Sequence, residues 1–307
     1  MILITEFMNQ NAVANLKKKY NVTYDKNLAD HQETIPALMK NAQAIIIRNR
    51  TQITEELLKI STELLCIGRL GVGLDNIDLE ACKKHNVTVY PATGANTNSV
   101  VEYVLTTALV LLRGSYNRFD EMVSGKWPRE KSSGNEISGK TLGLVGFGEI
   151  AQKTSKLAIN YNMKVIAYDP FLNKTDPAWN NVKNVSLEEL LKTADVISIH
   201  TPLNKSTRHL INSKNLIYLK PSAVIINAAR GGIIDDQALS DHLRENKIKG
   251  AALDVFEKEP MDEKSGSLFK GLTNLILTPH IAGVTEESNE KVSDMIALKV
   301  DQHLSSI

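Results

Sequence analysis

Three segments in the second half of the chain carry side chains that can do chemistry together. "IINAARGGIID" sets Arg230 between a β-branched run and two glycines, "ALDVFEKEP" sets Glu259 before Pro260, and "LILTPHIAG" sets His280 after Pro279. In a parallel sheet the strands end along one edge, so loops that follow successive strands can converge. A guanidinium, a carboxylate and an imidazole brought together suit the interconversion of a 2-oxo acid and its 2-hydroxy acid. Arg230 can hold the substrate carboxylate through two parallel hydrogen bonds. His280 can give a proton to the carbonyl oxygen as charge grows there, and act as base in reverse. A carboxylate such as Glu259 beside the ring favours its protonated form. Singly, each residue has a plainer reading: a surface ion pair, a solvated loop acid, a loop filler. Their joint placement favours the chemical one.

That reaction needs a hydride carrier, and "LGLVGFGEIA" offers a place for one. Gly146-x-Gly148-x-x-Ala151 follows a strand and opens a helix. Glycines there permit a tight turn and close backbone approach to a pyrophosphate on the helix N-terminus, while Ala151 keeps helix and strand close. About 23 residues on, "VIAYDP" ends in Asp169, at the spacing where an acid takes the ribose hydroxyls. An aspartate repels a 2′-phosphate, so NAD is predicted over NADP, with Lys174 keeping NADP open as an alternative. The plainer reading of Asp169 is a turn residue before Pro170. Glu149 would add like charge beside a pyrophosphate and is expected to turn outward.

The elements that position these residues alternate regularly. Candidate strands "ILIT", "NVTY", "AIIIR", "LLCIGRL" and "VTVYP" are interleaved with helices such as "NAVANLKKKY", "TEELLKI" and "DLEACKKH". A long apolar helix starts near Thr97, and the polar segment Glu130 to Lys140 reads as a surface connection. A second series runs through "TLGLVGFG", "KVIAYDP", "DVISIHTP", "AVIINAAR", "GAALDVF" and "LILTPH". This is the βαβ signature of α/β architecture. It predicts two doubly wound parallel-sheet domains, Rossmann- or flavodoxin-like, with a ligand cleft between them where strand ends face each other.

A length of 307 residues fits two domains. The composition, 42% hydrophobic and 23% charged with a net charge of +1, gives no electrostatic case for nucleic acid. Cys66 and Cys82 form no pair or framework, which makes a reducing cytoplasm the simplest home. "MILITEF" reads as a strand rather than a signal peptide, and "SVVEYVLTTALVLL" carries Glu102 and is too short to span a membrane. No cluster has metal-ligand spacing, so no metal is expected.

Together "GRLGVGLDNIDL", "NTNSVVE", "GLVGFGEIA", "AYDP", "HTPLNKST", "INAARGGIID", "ALDVFEKEP" and "TPHIAG" resemble the D-isomer-specific 2-hydroxyacid dehydrogenases. The resemblance spans nearly the whole chain, and within the family the pattern is most similar to short-form 3-phosphoglycerate dehydrogenases. It implies Arg230, Glu259 and His280 as the catalytic set, with Arg230 and His280 also touching substrate. For the cofactor it implies Gly146, Gly148, Glu149 and Ile150 at the pyrophosphate turn, Asp169 at the ribose and Asp254 near the nicotinamide amide. Thr201, Pro202, Ala228, Arg230, His280, Ala282 and Gly283 would line the rest. It also implies a split substrate domain, residues 1–96 plus 285–307, around an NAD domain of 97–284. Members are usually homodimers paired through the NAD domains, which would give the long apolar helix a second reason.

The first domain must supply specificity. Successive N–H groups around Gly71, Val72 and Gly73 can form an anion nest for the substrate carboxylate. Arg48, Asn49 and Arg50 end another strand, and cations there suit a second anionic group; Asn96 completes the candidate substrate set. The plainer reading of the arginines is that they are solvated or ion-paired. Val101 and Asn204 depart from the commoner family pattern without touching the chemistry. The first candidate substrate is 3-phosphoglycerate, which would place the chain in serine biosynthesis, with sulfolactate or glycerate as alternatives. An NAD(H)-sensing binding protein, like a corepressor of the same fold, is the competing reading from another class.

Overall fold

The computed structural model describes residues 1–114 and 118–306. The chain divides into two compact units, Met1–Asn96 with Val284–Ile307, and Thr97–Gly283.

In the first unit β1 (Ile2–Ile4), β2 (Val22–Tyr24), β3 (Ala44–Ile47), β4 (Cys66–Arg69) and β5 (Thr88–Pro91) form a parallel sheet in the order β2-β1-β3-β4-β5. Side chains alternate between its faces. Leu3, Ile45, Ile47 and Ile67 meet Leu57 and Leu58 of the helix Glu55–Ile60 and Ala81 of the helix Leu79–Lys84. Ile2, Ile4 and Ile46 face the other way, onto Val13 and Leu16 of the helix Gln10–Lys17. The same face receives Val292, Ile296 and Val300 of the final helix, Glu286–Ser305. Gly68 makes room for it: a Cβ there would stand 2.5 Å from Ile296 Cγ2. Both faces are therefore buried, which is why these strands read as continuous apolar runs.

The second unit holds β6 (Thr141–Val145), β7 (Lys164–Tyr168), β8 (Lys183–Asn184), β9 (Val196–Ile199), β10 (Val224–Asn227), β11 (Gly250–Leu253) and β12 (Leu275–Leu277). They pair in parallel in the order β12-β11-β10-β9-β6-β7-β8. The chain starts at β6, moves outward to β8, then returns to β9 on the other side. The order thus reverses between β6 and β9, where open α/β sheets bind ligands. The helix Thr97–Arg113 lays Val100, Val101, Val104, Ala108 and Leu112 over Leu142, Leu144, Val196 and Ile226. Leu190, Leu191, Leu239 and Leu243 cover the opposite face.

Two expectations need correction. The short edge strand β8 carries no apolar signal because both its residues are exposed. The Glu130–Lys140 segment is not all surface: Asn135 N–H bonds the Leu112 carbonyl at 2.9 Å and Ile137 is buried. Among the described residues no helix is long and apolar enough to cross a membrane.

Candidate active site

The loops after β10, β11 and β12 leave neighbouring strands of one sheet, and the first of them meets the second through its backbone. A Cβ on Gly231 would stand 1.9 Å from the Phe256 carbonyl oxygen, so only glycine lets the Arg230 loop pass that close. Beyond Phe256 the chain turns back on itself, and Phe256 N–H donates to Glu259 Oε1 at 2.9 Å. The other oxygen, Oε2, lies 2.6 Å from His280 Nδ1. Burial pushes the Glu259 carboxyl up. The His280 hydrogen bond, the Phe256 N–H and the charges of His280 and Arg230 outweigh it and hold the group below the usual carboxylate range. With Nδ1 engaged, His280 Nε2 is the nitrogen left to exchange a proton with a substrate. The ring is 39% exposed, enough to be reached from outside.

His280 has φ +57, a left-handed conformation that costs a non-glycine residue roughly 1–2 kcal/mol. Asp254 holds it there. Its carbonyl accepts His280 N–H at 2.9 Å. Its carboxylate, on a residue only 1% exposed, accepts Ile281 N–H and Ala282 N–H at 2.8 Å each and the Thr278 hydroxyl at 2.6 Å. Asp254 was expected from the resemblance alone, near the nicotinamide; its three donors give it a second task, fixing the loop on both sides of His280. Arg230 donates to the Ala229 carbonyl at 2.6 Å, and Asn227 braces the same turn through the Arg230 carbonyl.

The glycine loop lies at the switch point. Gly146 has φ +91, and a Cβ there would meet the His200 carbonyl oxygen at 2.7 Å and Thr201 Cγ2 at 2.9 Å. Gly148 differs, since a Cβ there would meet nothing within 4 Å. No protein atom requires glycine at 148, but a group laid against the helix N-terminus would. Thr201 Oγ1 is buried without a partner among the described residues, the second sign of a polar group they do not supply. Pro202 follows it on the loop after β9, and Ala228 and Gly283 are half-buried on the loops after β10 and β12. Asp169 accepts Phe147 N–H at 2.8 Å on one oxygen and Phe171 and Leu172 N–H on the other. It ties β7's end to the glycine loop and holds the turn that follows the strand, as the plainer reading expects. Glu149 does not simply turn outward: Thr97 Oγ1 donates to it at 2.9 Å. Ile150 follows it, half-buried, in the first turn of the helix Glu149–Asn160. Burial lowers His200 to about 4, which keeps it neutral near pH 7. These residues fit a dinucleotide.

A second ionic cluster braces the β11 loop. His209 Nε2 lies 2.7 Å from Glu257 Oε1, and Arg208 is 3.7 Å from Glu257 Oε2. Burial, and then the charge of Glu257, push the neighbouring Asp236 carboxyl up to about 6. The native state therefore prefers Asp236 protonated. That contribution is complete below the unfolded value of 3.8 and is lost as pH rises through about 6. Asp236→Asn is accordingly expected to be more stable than the parent by about 1–2 kcal/mol at pH 7.5 and equal to it at about pH 3. Urea denaturation at the two pH values checks this, and a gap of the same size at both would contradict it.

In the first unit, the candidate substrate residues are organised by a carboxylate that no sequence motif singles out. Glu6, 2% exposed, follows β1 and accepts N–H bonds from Arg48, Arg50 and Thr51. The Arg48 guanidinium reaches Asn289 Oδ1 at 2.7 Å and lies over the Phe7 ring; burial lowers its pKa. Arg50 pairs with Asp30 and with Glu6. Asn49 is exposed. The N–H groups of Val72 and Gly73 make no hydrogen bond among the described residues, and Asn96 Oδ1 is buried without one. Among the described residues no group of three His, Cys, Asp or Glu side chains could hold a metal ion.

Comparison with known proteins identifies the family. Residues 105–282 match the sequence model described as D-isomer specific 2-hydroxyacid dehydrogenase, NAD binding domain. The chain is 47% identical over 293 residues to (S)-sulfolactate dehydrogenase of Chromohalobacter salexigens, covering 95% of this chain and 94% of that one. It is 36% identical to D-3-phosphoglycerate dehydrogenase of Methanocaldococcus jannaschii, over 99% of this chain but 57% of that one. Among solved structures, D-lactate dehydrogenase of Aquifex aeolicus with NAD and lactic acid superposes with a TM-score of 0.85 at 27% identity, over 100% of this chain and 96% of that one.

Proposed function

The chain belongs to the D-isomer specific 2-hydroxyacid dehydrogenases, NAD-dependent oxidoreductases acting on CH–OH, and on that premise we propose a substrate with a second, singly charged anion, sulfolactate first. The observation that carries this is the match to sulfolactate dehydrogenase along 94% of its length. The charge around Arg48 supports it. Arg48 and Arg50 there stand against Glu6 and Asp30, so much of their positive charge is already compensated. A sulfonate carries one charge, whereas a phosphate near pH 7 carries about 1.5–2 and needs more compensation. This reverses the order expected from sequence; 3-phosphoglycerate becomes the second candidate, its dehydrogenase matching at 36% identity against 47% for the sulfolactate enzyme.

In this reading Arg230 orients the substrate carboxylate. His280, charged and backed by Glu259, delivers a proton from Nε2 to the carbonyl oxygen during reduction. In oxidation the neutral ring takes the hydroxyl proton at the same atom. When bound, NADH would supply a hydride for the carbonyl carbon; Gly146, Gly148 and Ile150 would hold its pyrophosphate, Asp169 its ribose, and Thr201 a polar group nearby.

NADH oxidation by the purified chain with sulfopyruvate, phosphohydroxypyruvate, hydroxypyruvate, pyruvate and oxaloacetate tests the proposal. Sulfopyruvate is expected to have the highest kcat/KM, by about tenfold or more, equivalent to about 1.4 kcal/mol. A preference for phosphohydroxypyruvate would reverse the assignment. NADH binding without turnover of any acid would make the chain a sensing protein.

A further inference from the structure

We propose that Tyr103 and Thr278 are positioning residues for His280, acting through Asp254. A carboxylate can only accept hydrogen bonds, so the 2.6 Å contact between Thr278 Oγ1 and Asp254 Oδ1 consumes the single hydroxyl proton of Thr278. The 2.7 Å contact between Tyr103 and the same Oγ1 must then be a donation from the phenol. The chain of bonds runs one way, from Tyr103 O–H to Thr278 O–H to Asp254. It ends on Oδ1, the oxygen that also holds Ile281 N–H, while Oδ2 holds Ala282 N–H. Those two amides immediately follow His280, whose φ of +57 is a conformation the loop would leave if released.

Successive donors in a partly buried chain strengthen one another, so a hydroxyl far from the imidazole can still tighten the loop that carries it. Tyr103 is a rigid anchor, because it belongs to the helix Thr97–Arg113 packed on the sheet. Burial pushes its phenol up to about 12, so it keeps its proton throughout the working range and never stands as an anion near Asp254. Thr278 comes directly after β12 and is two residues before His280. The pair thus clamps the start of the loop, and the amides clamp its end.

The inference rests on His280 as the acid–base group. Kinetics of the full chain with NADH and its best 2-oxo acid, across pH, test it with Tyr103→Phe, Thr278→Val, Thr278→Ser and His280→Gln. Tyr103→Phe is expected to lower kcat about fivefold and Thr278→Val about tenfold, with KM for NADH little changed. Both should displace the pH limb of kcat, and Thr278→Ser, which keeps the hydroxyl, should restore the parental profile. Tyr103→Phe removes one oxygen and keeps the test open if Thr278→Val does not fold. A parental rate and pH profile in Tyr103→Phe would overturn the relay, as would a lower rate with an unmoved pH limb, the mark of a merely structural loss. Full turnover in His280→Gln would instead overturn the role of His280 itself.

Discussion

His280→Gln is expected to lower kcat about a thousandfold while leaving NADH affinity within about twofold. Glutamine keeps the reach and polarity of the ring, and its amide can still donate to Glu259. It has no proton to give a developing alkoxide and no lone pair basic enough to take one. Glu259→Gln is a milder lesion, expected at about a hundredfold. There the ring remains, but the Oε2 contact at 2.6 Å no longer carries a negative charge. The imidazolium loses its charged partner, so proton transfer should slow in both directions. Steady-state rates in both directions from about pH 5 to 9, with NADH binding measured separately by fluorescence, distinguish proton transfer from cofactor loss. A His280→Gln enzyme within about tenfold of the parent would leave the imidazole without a chemical role.

The parts of this arrangement that sequence can show are those where one short segment carries both the signal and the cause. Strands buried on both faces must be apolar throughout, so runs such as Ala44–Ile47 and Val224–Asn227 stand out. Glycines and prolines punctuate the loops after them, which is why Arg230, Glu259 and His280 can be placed at strand ends from the order of residues alone. Contacts between distant segments leave no such trace. Arg48 and Arg50 look like available cations until Glu6, 42 residues before Arg48, is found accepting the backbone of their loop. Tyr103 sits in an apolar helix and reads as one more core residue; its bond to Thr278 spans 175 positions. Thr97 gives no hint that it will hold Glu149, and the exposed strand β8 offers no apolar pattern at all. Charge and hydroxyl pairing across the sheet edge is a property of the folded topology, and a linear pattern does not encode it.

Gly231→Ala is the substitution expected to damage both structure and turnover. The added methyl would lie 1.9 Å from the Phe256 carbonyl oxygen, 2.0 Å from its carbon and 2.7 Å from Glu257 N. All three are backbone atoms, so no rotamer change relieves the contact. Bringing 1.9 Å to the 3.0 Å floor of real Cβ contacts requires the two loops to part by 1.1 Å. That parting separates Arg230 from the turn in which Phe256 N–H holds Glu259. Overpacking of this kind costs about 1–3 kcal/mol of stability. A misplacement of about 1 Å between reacting groups costs about 10²-fold in rate, so kcat/KM should fall by that much even in the folded fraction. Gly148→Ala supplies the contrast, because among the described residues nothing beyond its own chain neighbours lies within 4 Å of its new methyl. Its melting temperature should equal the parent's, and its loss should appear in NADH affinity instead. Thermal unfolding and NADH titration of the two variants therefore separate a glycine required by the fold from one required by the cofactor. If Gly231→Ala melted and turned over like the parent, the close passage of the two loops would not be what brings Arg230 to Glu259 and His280.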